Sequence, residues 1–160
     1  MRLSATLIRA SAVIALGLAP MPALAEDNPA VAGEVMALAR AQWAAEMAQR
    51  PVSEQMTSIA EDYTEFNADH PTLITGRALN GQLYEAWSAG PRTLVGDMQN
   101  PHVQVYGDTA ILTYNYVGLV RSREGDIEPA NAKSTRVYVR QNGRWMLVHA
   151  NFNPVAAPAN

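Results

Sequence analysis

Few side chains in this sequence could carry chemistry. Asp62 and Asp97 are the two acids placed to act as a general base. A carboxylate in a dry pocket beside a tyrosine hydroxyl can move a proton and so isomerise a ketone, and a carboxylate pair with an arginine can activate water. Arg136 is the arginine of interest. A semi-buried guanidinium grips a carboxylate through two parallel hydrogen bonds. The same side chain could instead sit in an internal ion pair with Asp62, Glu65 or Asp97, because buried charges are normally paired. His70, His102 and His149 are separated singles without metal-ligand spacing, so no metal site is expected, and His149 reads as a strand histidine with a hydrogen-bond partner. The chain has no cysteine, which excludes disulfides, a thiolate zinc site and a cysteine nucleophile. These residues do not assemble into a clear catalytic constellation, and no cofactor is implied.

Aromatic residues form the second group. Trp43, Tyr63, Trp87, Tyr138 and Phe152 could line an apolar pocket or serve as plain core. Trp145, beside an Asn-Gly turn, reads as structural.

The elements that must hold these residues follow from periodicity. Residues 1–25 read as a cleavable signal peptide: Arg2 and Arg9 precede an apolar run, Pro20 and Pro22 break it, and Ala23-Leu24-Ala25 is a cleavage site before Glu26. Release of that leader takes two basic residues with it and moves the net charge from −3 to −5. An acidic domain without a basic face argues against nucleic acid and against an anionic membrane as partners. The remaining length suits one packed domain, residues 26–153, followed by a fraying Pro/Ala-rich tail at 154–160. The expected location is periplasmic or secreted.

A first helix is expected over residues 29–49, capped by Asn28, with Val31, Val35, Leu38, Ala39, Gln42, Trp43 and Met47 on its apolar stripe. A short second helix is expected from 53 to about 61, then a strand at 63–67 with Tyr63, Glu65 and Asn67 on one face. A third helix is expected at 76–87, with Leu79, Leu83, Tyr84 and Trp87 on one side. From residue 92 the period changes to two, which predicts strands at 92–99, 102–106, 109–122, 132–141 and 145–151. Gly107-Asp108 and Asn142-Gly143 are tight hairpin turns, and residues 123–129 form a polar loop. Helices first and a long meander second predict an α+β fold, a curved antiparallel sheet packed against N-terminal helices.

The residues Asn100-Pro101-His102-Val103, Gly107-Asp108 with Ala110, Thr135-Arg136-Val137, Asn142-Gly143-Arg144-Trp145 and Val148-His149 carry a resemblance. Together with Trp87 they resemble the nuclear-transport-factor-2-like (SnoaL-like) superfamily. Within it they are most similar to the association, or hub, domain of calcium/calmodulin-dependent protein kinase II. The likeness spans residues 63–153. No kinase motif accompanies it: G-x-G-x-x-G, His-Arg-Asp and Asp-Phe-Gly are all missing.

The resemblance implies a cone-shaped domain that self-associates as a dimer or larger ring and encloses a small pocket. Isomerase and hydrolase activities also occur in the superfamily, which makes a small-molecule isomerase or hydrolase the alternative function. Several arginines line the hub pocket of the kinase. Two of those positions fall at Val117 and Phe152 here, and only Arg136 is kept. The implied pocket is formed by Trp43, Tyr63, Trp87, Asn115, Arg136, Tyr138 and Phe152. It would suit a small polar or anionic organic ligand, a monocarboxylate or neutral compound rather than a dianion. Placing Val117 in the pocket puts Thr113 and Asn115 on the same face and turns Leu112, Tyr114 and Tyr116 outward. That tyrosine-rich face is the expected dimer interface.

Overall fold

The computed structural model describes residues 25, 27–88 and 90–155. The expected leader, apart from Ala25, lies outside these residues, as do Glu26 and positions 156–160 of the tail.

Helix α1 spans Pro29–Met47. Its start is fixed by Asn28, whose side-chain oxygen accepts the Val31 N–H at 3.1 Å, with Pro29 at the first helical position. Val31, Val35, Ala39, Gln42 and Trp43 are its buried stripe, with Leu38 and Met47 packed partly against the core. Helix α2 is a single turn, Val52–Gln55, far shorter than its apolar spacing suggests. Ile59 and Ala60 are instead claimed by strand β1, Ile59–Asn67, where they are buried against the sheet. A two-residue strand β2, Ile74–Thr75, which the sequence did not suggest, pairs with β1, and helix α3 follows at Arg77–Ser88.

Strand β3, Arg92–Tyr106, joins two expected strands into one. Asn100 adopts a left-handed φ of 49° and the register slips between Gln99 and His102, so a bulge absorbs Pro101, which has no N–H for the ladder. Strands β4 (Thr109–Arg121), β5 (Ile127–Gln141) and β6 (Arg144–Pro154) complete the meander. Asn142 and Gly143 turn the last hairpin with φ of 51° and 77°. The β4–β5 loop is tighter than 123–129, because β5 already pairs from Ile127. The first tail residue, Pro154, still pairs with Ala132.

The six strands lie in the order β2-β1-β6-β5-β4-β3. The fold is α+β as expected, but the sheet is mixed, because β1 runs parallel to β6 while every other pair is antiparallel. The parallel pairing sets Glu65 beside Ala150 and Asn67 beside Phe152. It thereby brings the inner face of β1 against the end of β6.

One expectation about face is reversed. Leu112, Tyr114 and Tyr116 are 0%, 4% and 7% exposed and belong to the core beneath α1. Trp43 meets the rings of Tyr114 and Tyr116 edge-on, at 5.5 and 5.3 Å between centroids. Thr113, Asn115 and Val117 therefore point to the outer face. Alternation tells which residues share a face; which face the helices cover is decided by packing. Here the larger aromatic side chains took the covered side.

Candidate functional site

A cavity of about 450 Å³ opens between α1, α3 and the inner face of the sheet. Helix α1 contributes Gln42, Trp43 and Glu46, and β1 contributes Tyr63, Glu65 and Asn67. Asn80, Leu83, Tyr84 and Trp87 come from α3, at the helical spacing that puts them on one stripe. The sheet supplies Thr93, Tyr116, Ser134, Arg136, Ala150 and Phe152, and Asp69, His70 and Arg123 also line it.

Arg136 is 7% exposed and lies at the centre of this wall. Its Nε donates to the Tyr114 hydroxyl at 3.0 Å and its Nη1 to Gln42 Oε1 at 2.7 Å. Its guanidinium carbon lies 5.6 Å from the centre of the Trp43 ring. Burial opposes the charge, and the surrounding phenols, Tyr114 and Tyr138 foremost, more than offset that, so the group stays cationic. The ion pairs among the described residues involve Arg50, Arg77 and Arg140, and none reaches Arg136.

Two carboxylates share the cavity. Glu65 is 8% exposed; it accepts the Tyr63 hydroxyl at 2.7 Å and the Asn67 amide at 2.7 Å. Glu46 accepts the Thr93 hydroxyl at 2.8 Å. Burial pushes the Glu46 carboxyl above its ordinary value, against the opposing pull of the Thr93 hydrogen bond and the Arg136 charge. Burial and the nearby Glu65 hold the Tyr63 and Tyr84 phenols protonated, and burial pushes Tyr116 up to about 12. The side-chain amide nitrogen of Asn80, a residue only 1% exposed, has no hydrogen-bond partner among the described residues.

Of the residues singled out from the sequence, Trp43, Tyr63, Trp87, Arg136 and Phe152 line this cavity. Tyr138 does not; it is fully buried core, 1% exposed. Asn115 lies on the opposite face, in a shallow polar hollow of about 330 Å³ with Asn100, Lys133, Asn151 and Asn153. Asp62 and Asp97 are both exposed and neither lines the cavity. Asp97 pairs in register with Val117 on the outer face, and its carboxylate accepts the neighbouring Met98 N–H at 2.7 Å. Arg136 is thus held by neutral partners rather than by Asp62, Glu65 or Asp97. His149 meets the Thr64 hydroxyl at 2.9 Å, and Trp145 packs under the Arg140 guanidinium at 4.6 Å. Among the described residues no cluster of histidines and acids could hold a metal ion.

Glu46 and Asn80 are among the cavity residues that the sequence reading missed, as are Tyr84 and Tyr116, the latter having been assigned to the outer face. Glu46 and Asn80 carry a positional signal. Glu46 follows Gln42 by four residues, and Asn80 precedes Tyr84 by four, so each lies on the inward stripe of its helix.

A six-stranded sheet wrapped around a helix-capped cavity is the architecture of nuclear-transport-factor-2-like proteins. An NTF2-like protein from Pseudomonas putida matches with a TM-score of 0.68 at 17% identity, over 82% of this chain and 91% of that one. A ketosteroid isomerase-like protein from Erwinia carotovora matches with a TM-score of 0.69 at 13% identity, over 81% and 100%. The hub homology domain of calcium/calmodulin-dependent protein kinase II from Chlamydomonas reinhardtii matches with a TM-score of 0.67 at 22% identity, over 79% and 99%. Comparison with curated proteins finds no match.

Within that architecture the assignment is narrower. The model of the calcium/calmodulin dependent protein kinase II association domain matches residues 32–156, and the chain belongs to this family.

Proposed function

We propose that this chain is an exported association module that self-assembles and holds a small polar organic molecule in the cavity of each protomer. The observation that carries the reading is Arg136, a buried cation on the cavity wall whose hydrogen bonds go to Tyr114 and Gln42 and not to a carboxylate. A buried cation that no carboxylate among the described residues reaches within ion-pair distance suits a partner from outside. Trp43, Tyr84, Trp87 and Phe152 supply the apolar wall for the body of such a ligand.

Self-association rests on the family and on the outer face of the sheet. Both long helices lie on the inner side, so the outer face of β3 to β5 has no covering element among the described residues. Val95 and Leu119 pair across β3 and β4 and are 51% and 41% exposed, with Ile127 at 55% beside them. Native mass spectrometry of the purified chain tests both parts. The expected result is a multimer carrying a non-covalent adduct of low molecular mass. A bare monomer at micromolar concentration contradicts the reading.

A second reading, small-molecule isomerisation or hydrolysis, is favoured by one observation. Glu46 is a cavity carboxyl whose raised pKa suits proton transfer. That role passes to Glu46 from the exposed Asp62 and Asp97. Turnover lost in Glu46→Gln, with the fold intact, would establish it.

A further inference from the structure

The charges inside the cavity are not paired with one another. Arg136, Glu46 and Glu65 all line it, yet none of the ion pairs among the described residues involves any of them. Each is engaged by neutral groups instead: Arg136 by Tyr114 and Gln42, Glu65 by Tyr63 and Asn67, Glu46 by Thr93. Neutral partners hold each side chain in place and leave its charge unspent. The Asn80 amide nitrogen adds a buried donor without a partner among the described residues. With Asp69 and Arg123, which also line it, the cavity carries three acids against two arginines. A simple carboxylate would raise the excess of negative charge. An amine alone would leave the Arg136 charge and the Asn80 donor unanswered.

We propose that the cavity takes a small zwitterion, a primary amine and a carboxylate joined by an apolar stem. The carboxylate lies against Arg136 and Asn80, and the ammonium lies toward Glu46 and Glu65. This inference rests on the reading of the cavity as a ligand site and names the ligand class. Both ends are then recognised by charge-assisted hydrogen bonds, and the stem lies against Trp43 and Phe152. The ammonium also favours the ionised form of Glu46, which burial alone disfavours.

Calorimetric titration of the full mature chain tests this with four matched compounds: 6-aminohexanoate, hexanoate, hexylammonium and neutral hexanamide. The shorter and longer homologues of each are titrated alongside. At the best chain length the amino acid is expected to bind at least about tenfold more tightly than each of the other three, a difference of about 1.4 kcal/mol. Glu46→Gln and Glu65→Gln should each bring the amino acid down toward the simple carboxylate. Both substitutions keep an acceptor for the Thr93 and Tyr63 hydroxyls, so the fold should survive, which thermal unfolding verifies. If a carboxylate, amine or amide binds as tightly as its amino acid, the zwitterion inference is overturned while the cavity stands as a ligand site. If none of the series binds at any length, both fail.

Discussion

Glu46 illustrates what the cavity does to a single residue. Its folded pKa lies above the ordinary 4.5, so the folded protein binds a proton that the unfolded chain releases. The stability it contributes is full below pH 4.5 and is lost as pH rises through the folded value. Thr93 from β3 and Arg136 from β5 oppose the shift, but burial outweighs them. Glu46→Gln is therefore expected to raise the melting temperature at pH 8, with the gain shrinking as the solution is made acidic. Thermal unfolding across pH checks the sign; a gain that grows toward acid would contradict it. Arg136→Met is expected to cost stability only modestly, about 1–3 kcal/mol, through the acceptor left on Gln42. Arg136 was legible in the sequence because, in the resemblance to the kinase hub, it is the pocket arginine that is kept while the positions at Val117 and Phe152 are not. The acids were not. Asp62 and Asp97 drew attention as acids near the right strands, and only the pairing register shows that Asp97 sits opposite Val117 on the outer face.

At the scale of elements, strand β4 positions the wall, and two glycines decide how. Tyr116 crosses the space above Gly96 and Gly118, which face each other in register. A β-carbon on Gly118 would stand 2.6 Å from the Val95 carbonyl oxygen and 2.8 Å from the Tyr116 hydroxyl. Gly118→Ala should destabilise by about 1–3 kcal/mol, because backbone must shift as well as the ring. Gly33 offers the contrast: it lies exposed within α1, and a methyl added there would meet nothing within 4 Å. Gly33→Ala should stabilise by roughly 0.5–1 kcal/mol, from helix propensity alone. Denaturant unfolding of the two variants reads both signs. Helix and strand identities followed closely from periodicity and turn chemistry, as the Asn142-Gly143 hairpin demonstrates. The region of residues 56–61 did not, because Met56, Ile59 and Ala60 satisfy a helical period and a strand edge equally well. Pairing with β6 chose the strand. The inward face of β4 was read the wrong way round, because the resemblance put Val117 in the pocket, and α1 packs on Leu112, Tyr114 and Tyr116 instead.

At the scale of the whole molecule, the proposed assembly and ligand binding are separate properties of opposite sheet faces. Export is part of the same proposal: material recovered from outside the cytoplasm should begin at Glu26, and Edman sequencing that returned Met1 would contradict this. The expected interface of Leu112, Tyr114 and Tyr116 is instead the core, so Tyr116→Glu should unfold the domain rather than split the assembly. The family was legible because Asn100-Pro101-His102-Val103 and Asn142-Gly143-Arg144-Trp145 occupy turns and bulges where few residues serve. The parallel β1–β6 pairing was not, since strands whose partners, such as Thr64 and His149, lie 85 positions apart carry no local mark of their register. The most direct test of separate faces is native mass spectrometry of the mature chain, of Arg136→Met and of Leu119→Asp, side by side. Arg136→Met is expected to keep the multimer and lose the bound small molecule. Leu119→Asp should fall to a smaller species that retains it. A Leu119→Asp variant that stays fully assembled, or an Arg136→Met variant that keeps its ligand, would contradict the separation of the two faces.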